Sequence, residues 1–237
     1  MVSQKFEDDK RIAHYLMLNS YFITDISLWY GQMGIALVMS EYSKYMGNKV
    51  YFDVASFLLN NMSEGINGDL ALSFASGLTG IGWGIENLIQ QGYIEGDSVE
   101  ICEEIDQRIM EIDIKRISDL SLENGIEGLL HYVIYHLQGA IKQQTKFPFD
   151  KMYLSDLYEL GMTLKQQNIN KRLELLLDIY ITFHTTQHIV NYNITGASHF
   201  VAVEMINLQN KISSYPIGLR NGLAGILFNA INARRQE

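Results

Sequence analysis

A glycine-dense pattern that recurs along the chain constrains its fold more than any other feature. In each copy a hydrophobic residue stands three positions before a G-x-x-G pair, and an aliphatic residue directly follows the pair. The four copies are Leu28–Ile35, Ser76–Ile85, Leu122–Leu129 and Leu219–Ile226. Their first glycines, Gly31, Gly77, Gly125 and Gly222, are 46, 48 and 97 residues apart. The doubled last interval predicts a fifth copy at Ile169–Leu177, where Arg172 and Leu175 replace the two glycines.

A fixed period of this length is typical of stacked supersecondary units. Five repeats are therefore predicted, starting near residues 27, 73, 121, 168 and 218, within one domain over residues 1–237. Two kinds of helix alternate in them. Asp97–Ile112 and Asp150–Gln166 carry their apolar residues on one stripe, as outer helices do, whereas Gly80–Ile85 and Gly222–Phe228 are apolar on all sides, as buried inner helices are. No strand alternation is present, so the fold class is all-α.

The glycine pairs lie at the start of the inner helices, although glycine costs about 1 kcal/mol inside a helix. Repeating that cost implies a geometric need: missing side chains let neighbouring inner helices approach closely and let the preceding loop turn sharply. Ser76, Asn124 and Asn221 directly precede a first glycine and are predicted N-caps. Because helix N-termini carry partial positive charge, this end of a ring or arc of inner helices predicts a pocket for anionic or carbonyl groups.

Composition excludes several classes of protein. A net charge of −9 argues against nucleic-acid binding. The sequence contains no run of 18 apolar residues, so a membrane-spanning helix is not expected. Cys102 is the only cysteine, so no disulfide framework is possible. The polar segment Met1–Lys10 does not resemble a signal peptide. A cytoplasmic protein is expected.

Two of the glycine motifs resemble a known family. Ser73–Trp83 reads S-x-x-x-G-L-x-G-I-G-W and Asn221–Ile226 reads N-G-L-A-G-I. Both are similar to repeats of the lanthionine synthetase C family, the cyclases of lanthipeptide biosynthesis. The resemblance implies an α/α toroid, or an open arc, of about five helical hairpins with inner and outer helix layers. Members of that family are usually longer, so the chain resembles a shortened or partial toroid.

The resemblance also implies where a zinc site would lie. In that family two cysteines and a histidine, next to the glycine pairs, bind a zinc ion that activates a substrate thiolate. None of the residues here directly before the first glycines ligates zinc in that way; they are Trp29-Tyr30, Ala75-Ser76, Glu123-Asn124 and Arg220-Asn221. Cys102 is predicted on an outer helix instead. Zinc-dependent cyclisation and a cofactor are therefore not expected.

Three histidines near the C-terminal end of the fourth repeat are the other candidates for metal ligands. His184 and His188 are spaced i, i+4, which predicts one helical face, and His199 follows eleven residues after the pair. The pair would lie at the C-terminal end of the fourth inner helix, where cationic side chains are favoured by the helix dipole without any metal. His131 and His136 are predicted to be core or rim residues.

Carboxylates suggest a second kind of enzyme, because some α/α toroids are glycosidases that use two of them. Asp25, Asp69, Glu123 and Glu127 lie near the predicted inner-helix starts. Acid–base catalysis requires a pair at a defined separation, which spacing along the chain does not supply. The helix dipole alone also explains carboxylates at such positions.

The favoured interpretation is a non-catalytic relative of the cyclases that binds a peptide or a partner enzyme. The residues proposed to line its ligand site at the inner-helix starts are Trp29, Tyr30, Ser76, Trp83, Glu123, Asn124 and Asn221. The alternatives are an enzyme with carboxylate acid–base chemistry and a scaffold module that associates through unsatisfied apolar edges, for example as a homodimer.

Overall fold

The computed structural model describes residues 2–66, 70–188, 192, 201 and 212–235. These residues form ten α-helices, three short 3-10 turns and no strand, which confirms the all-α prediction for the described part of the chain. The helices are α1 Val2–Asn19, α2 Gln32–Met46, α3 Lys49–Gly65, α4 Leu78–Gln90, α5 Ser98–Ile101, α6 Glu103–Met110, α7 Ile126–Gln143, α8 Lys151–Leu164, α9 Lys171–Thr186 and α10 Leu223–Arg235.

The chain divides into two compact units. We call Met1–Leu70 with Gly196–Glu237 the terminal unit, and Ala71–Thr195 the central unit. The terminal unit contains α1, α2, α3 and α10, and the central unit contains α4 to α9. A single toroid or arc of five hairpins stays a prediction. An outer helix is also predicted from Val201, Met205 and Leu208, but residues 202–211 lie outside the described part.

In the terminal unit, α2 packs against α3 and α10, and α10 packs against α1. The pair Gly47-Asn48 predicts a left-handed stop after α2. This prediction is confirmed, because Gly47 adopts φ 62° and its N–H donates to the Ser43 carbonyl. Asn48 then caps α3 by accepting from the Val50 N–H. Helical spacing predicts one apolar face of α3 at Val54, Phe57, Leu58 and Met62. This face is buried except at Phe57, which is 41% exposed.

In the central unit, α4 packs against α7, and α9 packs against α7 and α8. Asp97 and Asp150 cap α5 and α8 by accepting from backbone N–H groups, which confirms those helix starts. The apolar stripe predicted for Asp97–Ile112 is buried at Val99, Cys102, Ile105 and Ile109. The helix is not continuous, however, because it breaks at Cys102, and Asp106 is buried as well.

The copy predicted at Ile169–Leu177, which lacks the glycines, is the fourth repeat in chain order. A helix is present there, but it begins at a different place from the predicted one. Helix α9 begins at Lys171, and its N-cap Asn170 accepts from the N–H groups of Arg172 and Leu173. In α7 the N-cap is the first glycine, Gly125. Asn170 therefore occupies the position of that glycine, and the alignment of Arg172 with it is wrong by two residues.

Candidate functional site

One backbone turn precedes four of the helices. We call residues 25–31, 71–77, 119–125 and 216–222 the entrance turns. In each, the N–H of the first helical residue donates to the carbonyl of the residue seven positions earlier. The pairs are Gln32 to Asp25 (2.8 Å), Leu78 to Ala71 (2.9 Å), Ile126 to Asp119 (3.0 Å) and Leu223 to Pro216 (2.8 Å). The chain thus satisfies these four N–H groups with its own carbonyls. A pocket for anionic or carbonyl groups at this end of the helices stays a prediction.

Serine side chains hold three of these turns. The hydroxyls of Ser27, Ser73 and Ser121 accept from the backbone N–H three residues later, at 3.4, 3.1 and 3.3 Å. The N-caps of α4 and α7 are the glycines themselves, with no side-chain hydrogen bond. The prediction that Ser76 and Asn124 cap these helices is therefore wrong.

The turn explains why its first glycine has no side chain. A Cβ atom on Gly31, Gly77 or Gly125 would overlap the carbonyl oxygen six residues earlier. The second glycines Gly34 and Gly128 meet the same obstacle at Leu28 and Leu122. These overlaps confirm the prediction that glycine allows a sharp turn. The fourth entrance turn differs at Asn221, which has φ 54°. Asparagine tolerates this left-handed conformation better than most residues.

Neighbouring entrance turns are hydrogen-bonded in the same register in both units. In the terminal unit the Arg220 N–H donates to the Trp29 carbonyl at 2.9 Å. In the central unit the Ala75 N–H donates to the Glu123 carbonyl at 3.1 Å. All four residues lie two positions before a first glycine. The fifth repeat therefore packs on the first as the second packs on the third.

The second glycines of the first and third repeats, Gly34 and Gly128, allow this packing. A Cβ on Gly34 would lie 2.8 Å from the Leu219 Cβ, and one on Gly128 would lie 2.6 Å from the Phe74 Cβ. Leu219 and Phe74 are equivalent, three positions before Gly222 and Gly77. The close approach predicted for neighbouring inner helices thus occurs between a helix and the entrance turn of the next repeat.

The proposed ligand residues divide into exposed and buried groups. Five are exposed on the entrance turns: Tyr30, Ser76, Glu123, Asn124 and Asn221. Trp29 is only 2% exposed and lies under the Arg220 guanidinium, whose carbon is 4.1 Å from the ring centre. Trp83 is fully buried in the central unit, where it packs against Phe74 and Tyr135.

The histidine candidates do not share one helical face. Helix α9 ends at Thr186, and Gln187 adopts φ 60° before His188, so the prediction of a common face is wrong. His184 stacks on Tyr158 with ring centres 4.4 Å apart. His199 lies outside the described residues. Within the described ranges no group of three or more His, Cys, Asp or Glu side chains could hold a metal ion.

The carboxylate candidates have local structural roles. Asp25 Oδ1 accepts from the Ser27 N–H at 2.8 Å. Glu127 is buried in α7, where its Oε2 accepts from the Asn170 Nδ2 at 3.1 Å. Glu123 is exposed, and Asp69 lies outside the described residues.

A buried polar cluster joins α4, α6 and α7. We call Glu86, Asp106, Tyr132 and His136 the His136 network. His136 Nδ1 lies 2.7 Å from Glu86 Oε2, and its Nε2 lies 3.0 Å from Asp106 Oδ2. Tyr132 donates to Asp106 Oδ1 at 2.6 Å and stacks on the imidazole. Because both ring nitrogens face carboxylate oxygens, the imidazole donates from both and carries a positive charge.

Proton affinities follow from this geometry. Burial alone would lower the pKa of His136, but hydrogen bonds and attraction from Asp106 and Glu86 outweigh it and raise the pKa to about 9. Burial raises the pKa of Asp106, although the bond to His136 opposes that shift. Burial also raises the pKa of the neighbouring Cys102 thiol, so this thiol is a poor nucleophile at neutral pH.

Interpretation of the sequence missed this network, although a signal was present. Glu86 interrupts a helix that is otherwise almost uncharged, and a charged residue inside a buried helix needs a partner. Asp106 and His136 lie 20 and 50 residues away in sequence, so the pattern of one helix could not identify them as its partners.

Comparison with known proteins adds no assignment. No family model matches the chain, and no curated protein matches it. Among the described residues, no helix is both long enough and apolar enough to cross a bilayer.

Proposed function

We propose that the chain is a non-catalytic binding protein of ribosomal-peptide maturation, related in role to the lanthionine synthetase C family, and that it binds a linear peptide or a partner enzyme at its entrance turns. One observation carries the proposal. Four turns keep one backbone hydrogen bond while each exposes one aromatic or polar side chain directly before its first glycine: Tyr30, Ser76, Asn124 and Asn221.

The chemistry of these side chains favours binding over catalysis. An aromatic ring, a hydroxyl and two amides offer contact area and hydrogen bonds to a peptide backbone. None is a thiolate or imidazole ligand, and a catalytic zinc site needs three protein ligands. The turns themselves are held by backbone hydrogen bonds, so a ligand would meet a surface that is already ordered.

Selection from a display library of linear peptides containing Ser, Thr and Cys, followed by fluorescence anisotropy, tests the proposal. We expect Ser76→Ala and Asn124→Ala, on neighbouring entrance turns of the central unit, each to weaken binding of the selected peptides at least fivefold. Met152→Ala, which alters an exposed side chain on α8, is the matched control and should leave affinity unchanged. Selected peptides that bind all three variants as tightly as the wild type would contradict the proposal.

A second arm tests the absence of cyclase activity. A linear peptide carrying dehydroalanine and cysteine, incubated with the protein and Zn²⁺, is expected to keep a free thiol detectable by alkylation and mass spectrometry. Thioether formation that depends on the protein would overturn the non-catalytic assignment.

Self-association is the alternative form of partner binding. The terminal unit exposes apolar side chains next to one another in Leu18, Tyr21, Phe22 and Phe57, and the rings of Tyr21 and Phe57 are 4.5 Å apart. A homodimer would give twice the monomer mass by light scattering at micromolar concentration, and Phe22→Ser would abolish it. A monomer at all concentrations contradicts this alternative.

A further inference from the structure

A pocket of about 240 Å³ lies in the central unit between α6 and the segment before α8. We call it the acidic pocket. Its apolar lining is Val99, Met110, Phe147, Pro148 and Phe149, and its polar lining is Glu103, Asp106, Gln107, Lys146 and Asp150. The volume is smaller than that of typical drug-binding pockets, so it suits a ligand of few atoms.

The wall of this pocket reaches the His136 network through Asp106. Asp106 lines the pocket although the residue is only 2% exposed, and its carboxylate belongs to the His136 network. Phe149, another lining residue, packs edge-on against the rings of Tyr132 and His136. A group bound deep in the pocket would therefore sit next to the buried charges rather than in bulk water.

Those buried charges do not balance. Both oxygens of Glu86 accept hydrogen bonds, from Gln90 and His136, and both oxygens of Asp106 accept, from Tyr132 and His136. Acceptance at both oxygens is typical of ionised carboxylates. Two negative charges therefore face one imidazolium, which leaves a buried excess of one negative charge. Such an excess is costly away from water unless a cation compensates it.

The cations available within the described residues are distant or exposed. Lys142 reaches Glu86 only through Gln90, with bonds of 2.6 and 2.7 Å. Lys146 is the one cationic residue that lines the pocket, and it is exposed and forms no ion pair within the described ranges. Glu103 and Asp150 add further negative charge to the lining.

We propose that the acidic pocket binds a small organic cation, an ammonium or guanidinium group on a short apolar body. Asp106 and Glu103 supply the charge complement, since each carboxylate oxygen has a second lone pair to accept another hydrogen bond. The walls formed by Phe147 and Phe149 cover the apolar body and offer ring faces to the cation. The ligand is a free amine or the Lys or Arg side chain of a peptide, which share this chemistry. The site is independent of the entrance turns.

Isothermal titration of the full chain with n-butylguanidinium chloride tests the proposal, with n-butanol and sodium butyrate as neutral and anionic probes of equal chain length. The guanidinium probe is expected to bind at least tenfold more tightly than either. Glu103→Gln should weaken it at least threefold, whereas Glu104→Gln, an exposed neighbour on α6 that does not line the pocket, should not. Equal affinity for the three probes, or equal effects of the two substitutions, overturns the proposal.

Two further measurements locate and identify the ligand. Gln107→Trp places a large side chain in the exposed lining and is expected to abolish binding while leaving the helical circular dichroism unchanged; unchanged binding would overturn the location. Acetyl-Gly-Arg-Gly-amide distinguishes the two sources. Binding of this peptide as tight as that of butylguanidinium indicates a peptide side chain, and binding at least tenfold weaker indicates a free cation.

Discussion

The terminal and central units each contain the same interface between two entrance turns, but the helices that follow the turns bury different side chains. Between the fifth and first repeats, the Arg220 N–H bonds to the Trp29 carbonyl; between the second and third, the Ala75 N–H bonds to the Glu123 carbonyl. The glycines fit the same neighbouring positions in both. Away from the turns, the side chains that the paired helices bury differ between the two units. The glycine motif therefore determines how neighbouring repeats pack, but not which side chains fill the core behind them.

The difference is clearest nine and eleven residues after the first glycines. In the central unit these positions are Glu86 on α4 and His136 on α7, which bond to each other in the core. In the terminal unit they are Ile231 on α10 and Tyr42 on α2, which are also buried. In the terminal unit, two ion pairs join neighbouring helices near the end of α10 instead, where Arg234 pairs with Asp9 and Arg235 with Glu41.

The largest expected effect comes from replacing His136, which lies eleven residues after Gly125, and the comparison is Tyr42, which lies eleven residues after Gly31. His136→Leu leaves Glu86 and Asp106 buried without a counter-charge and should lower the free energy of unfolding by about 4 kcal/mol. Tyr42→Phe should change it by less than about 0.5 kcal/mol, because the buried Tyr42 hydroxyl has no hydrogen-bond partner within the described residues. Urea unfolding followed by circular dichroism measures both. Similar effects of the two substitutions would remove the contrast between the units.

Replacing a first glycine should affect both units alike. Gly31→Ala and Gly125→Ala each force a Cβ against a backbone carbonyl, and we expect a loss of about 3 kcal/mol in each case. Gly47→Ala is the control, because Gly47 has a positive φ but open space around it and should cost only about 1 kcal/mol. A mild effect of Gly31→Ala beside a large one of Gly125→Ala would show that the turns are not equivalent.

Alkaline pH should weaken the central interface through His136. Its folded-state pKa, about 9, lies above the ordinary value of 6.5, so its contribution is fully present below pH 6.5 and is lost as pH rises through 9. Between pH 7 and 9 the wild type should lose about 2 kcal/mol more than His136→Leu. The variant serves as the control because it keeps Cys102, whose raised pKa gives a loss of the same sign. Parallel pH profiles for the two proteins would contradict the charged state assigned to His136.

The smallest expected effects concern the turn serines. Ser73 is buried, accepts from the Ser76 N–H and donates to the Glu123 carbonyl at 2.8 Å, so Ser73→Ala should cost about 1 kcal/mol. Ser121 is exposed, and Ser121→Ala should cost about 0.5 kcal/mol or less. Thermal unfolding of the two variants compares them. A larger loss at Ser121 would show that burial does not rank these bonds.

Local signals in the sequence predicted local structure well. The stop at Gly47 and the caps at Asp97 and Asp150 depend on residues within a few positions of one another, so one stretch of sequence contains the whole cause. The turn geometry was predicted only in part. Glycine indicated a sharp bend, but a serine four residues before the first glycine holds the turn in three copies, and the N–H of the first helical residue donates to a carbonyl seven residues back.

The candidate site was harder to predict, because its members come from different helices. Asp106 follows Glu103 and Glu104 in the sequence, and nothing in that run of carboxylates marks it as the buried one. Only the packing of α6 against α4 brings Asp106 to His136. His184 and His188 show the opposite error. Their spacing was correct for a helical face, but the left-handed residue Gln187 ends the helix between them. Sequence spacing has meaning only while the helix continues.

Amide hydrogen exchange at two equivalent positions tests the repeated interface most directly. The Arg220 and Ala75 N–H groups each bond to the carbonyl of a neighbouring repeat, at 2.9 and 3.1 Å. In the full chain both should exchange at least a hundredfold more slowly than in an unfolded peptide, and Gly34→Ala should remove protection at Arg220 while preserving it at Ala75. Exchange of the Arg220 amide at the unfolded rate in the wild type would contradict the packing of the fifth repeat on the first.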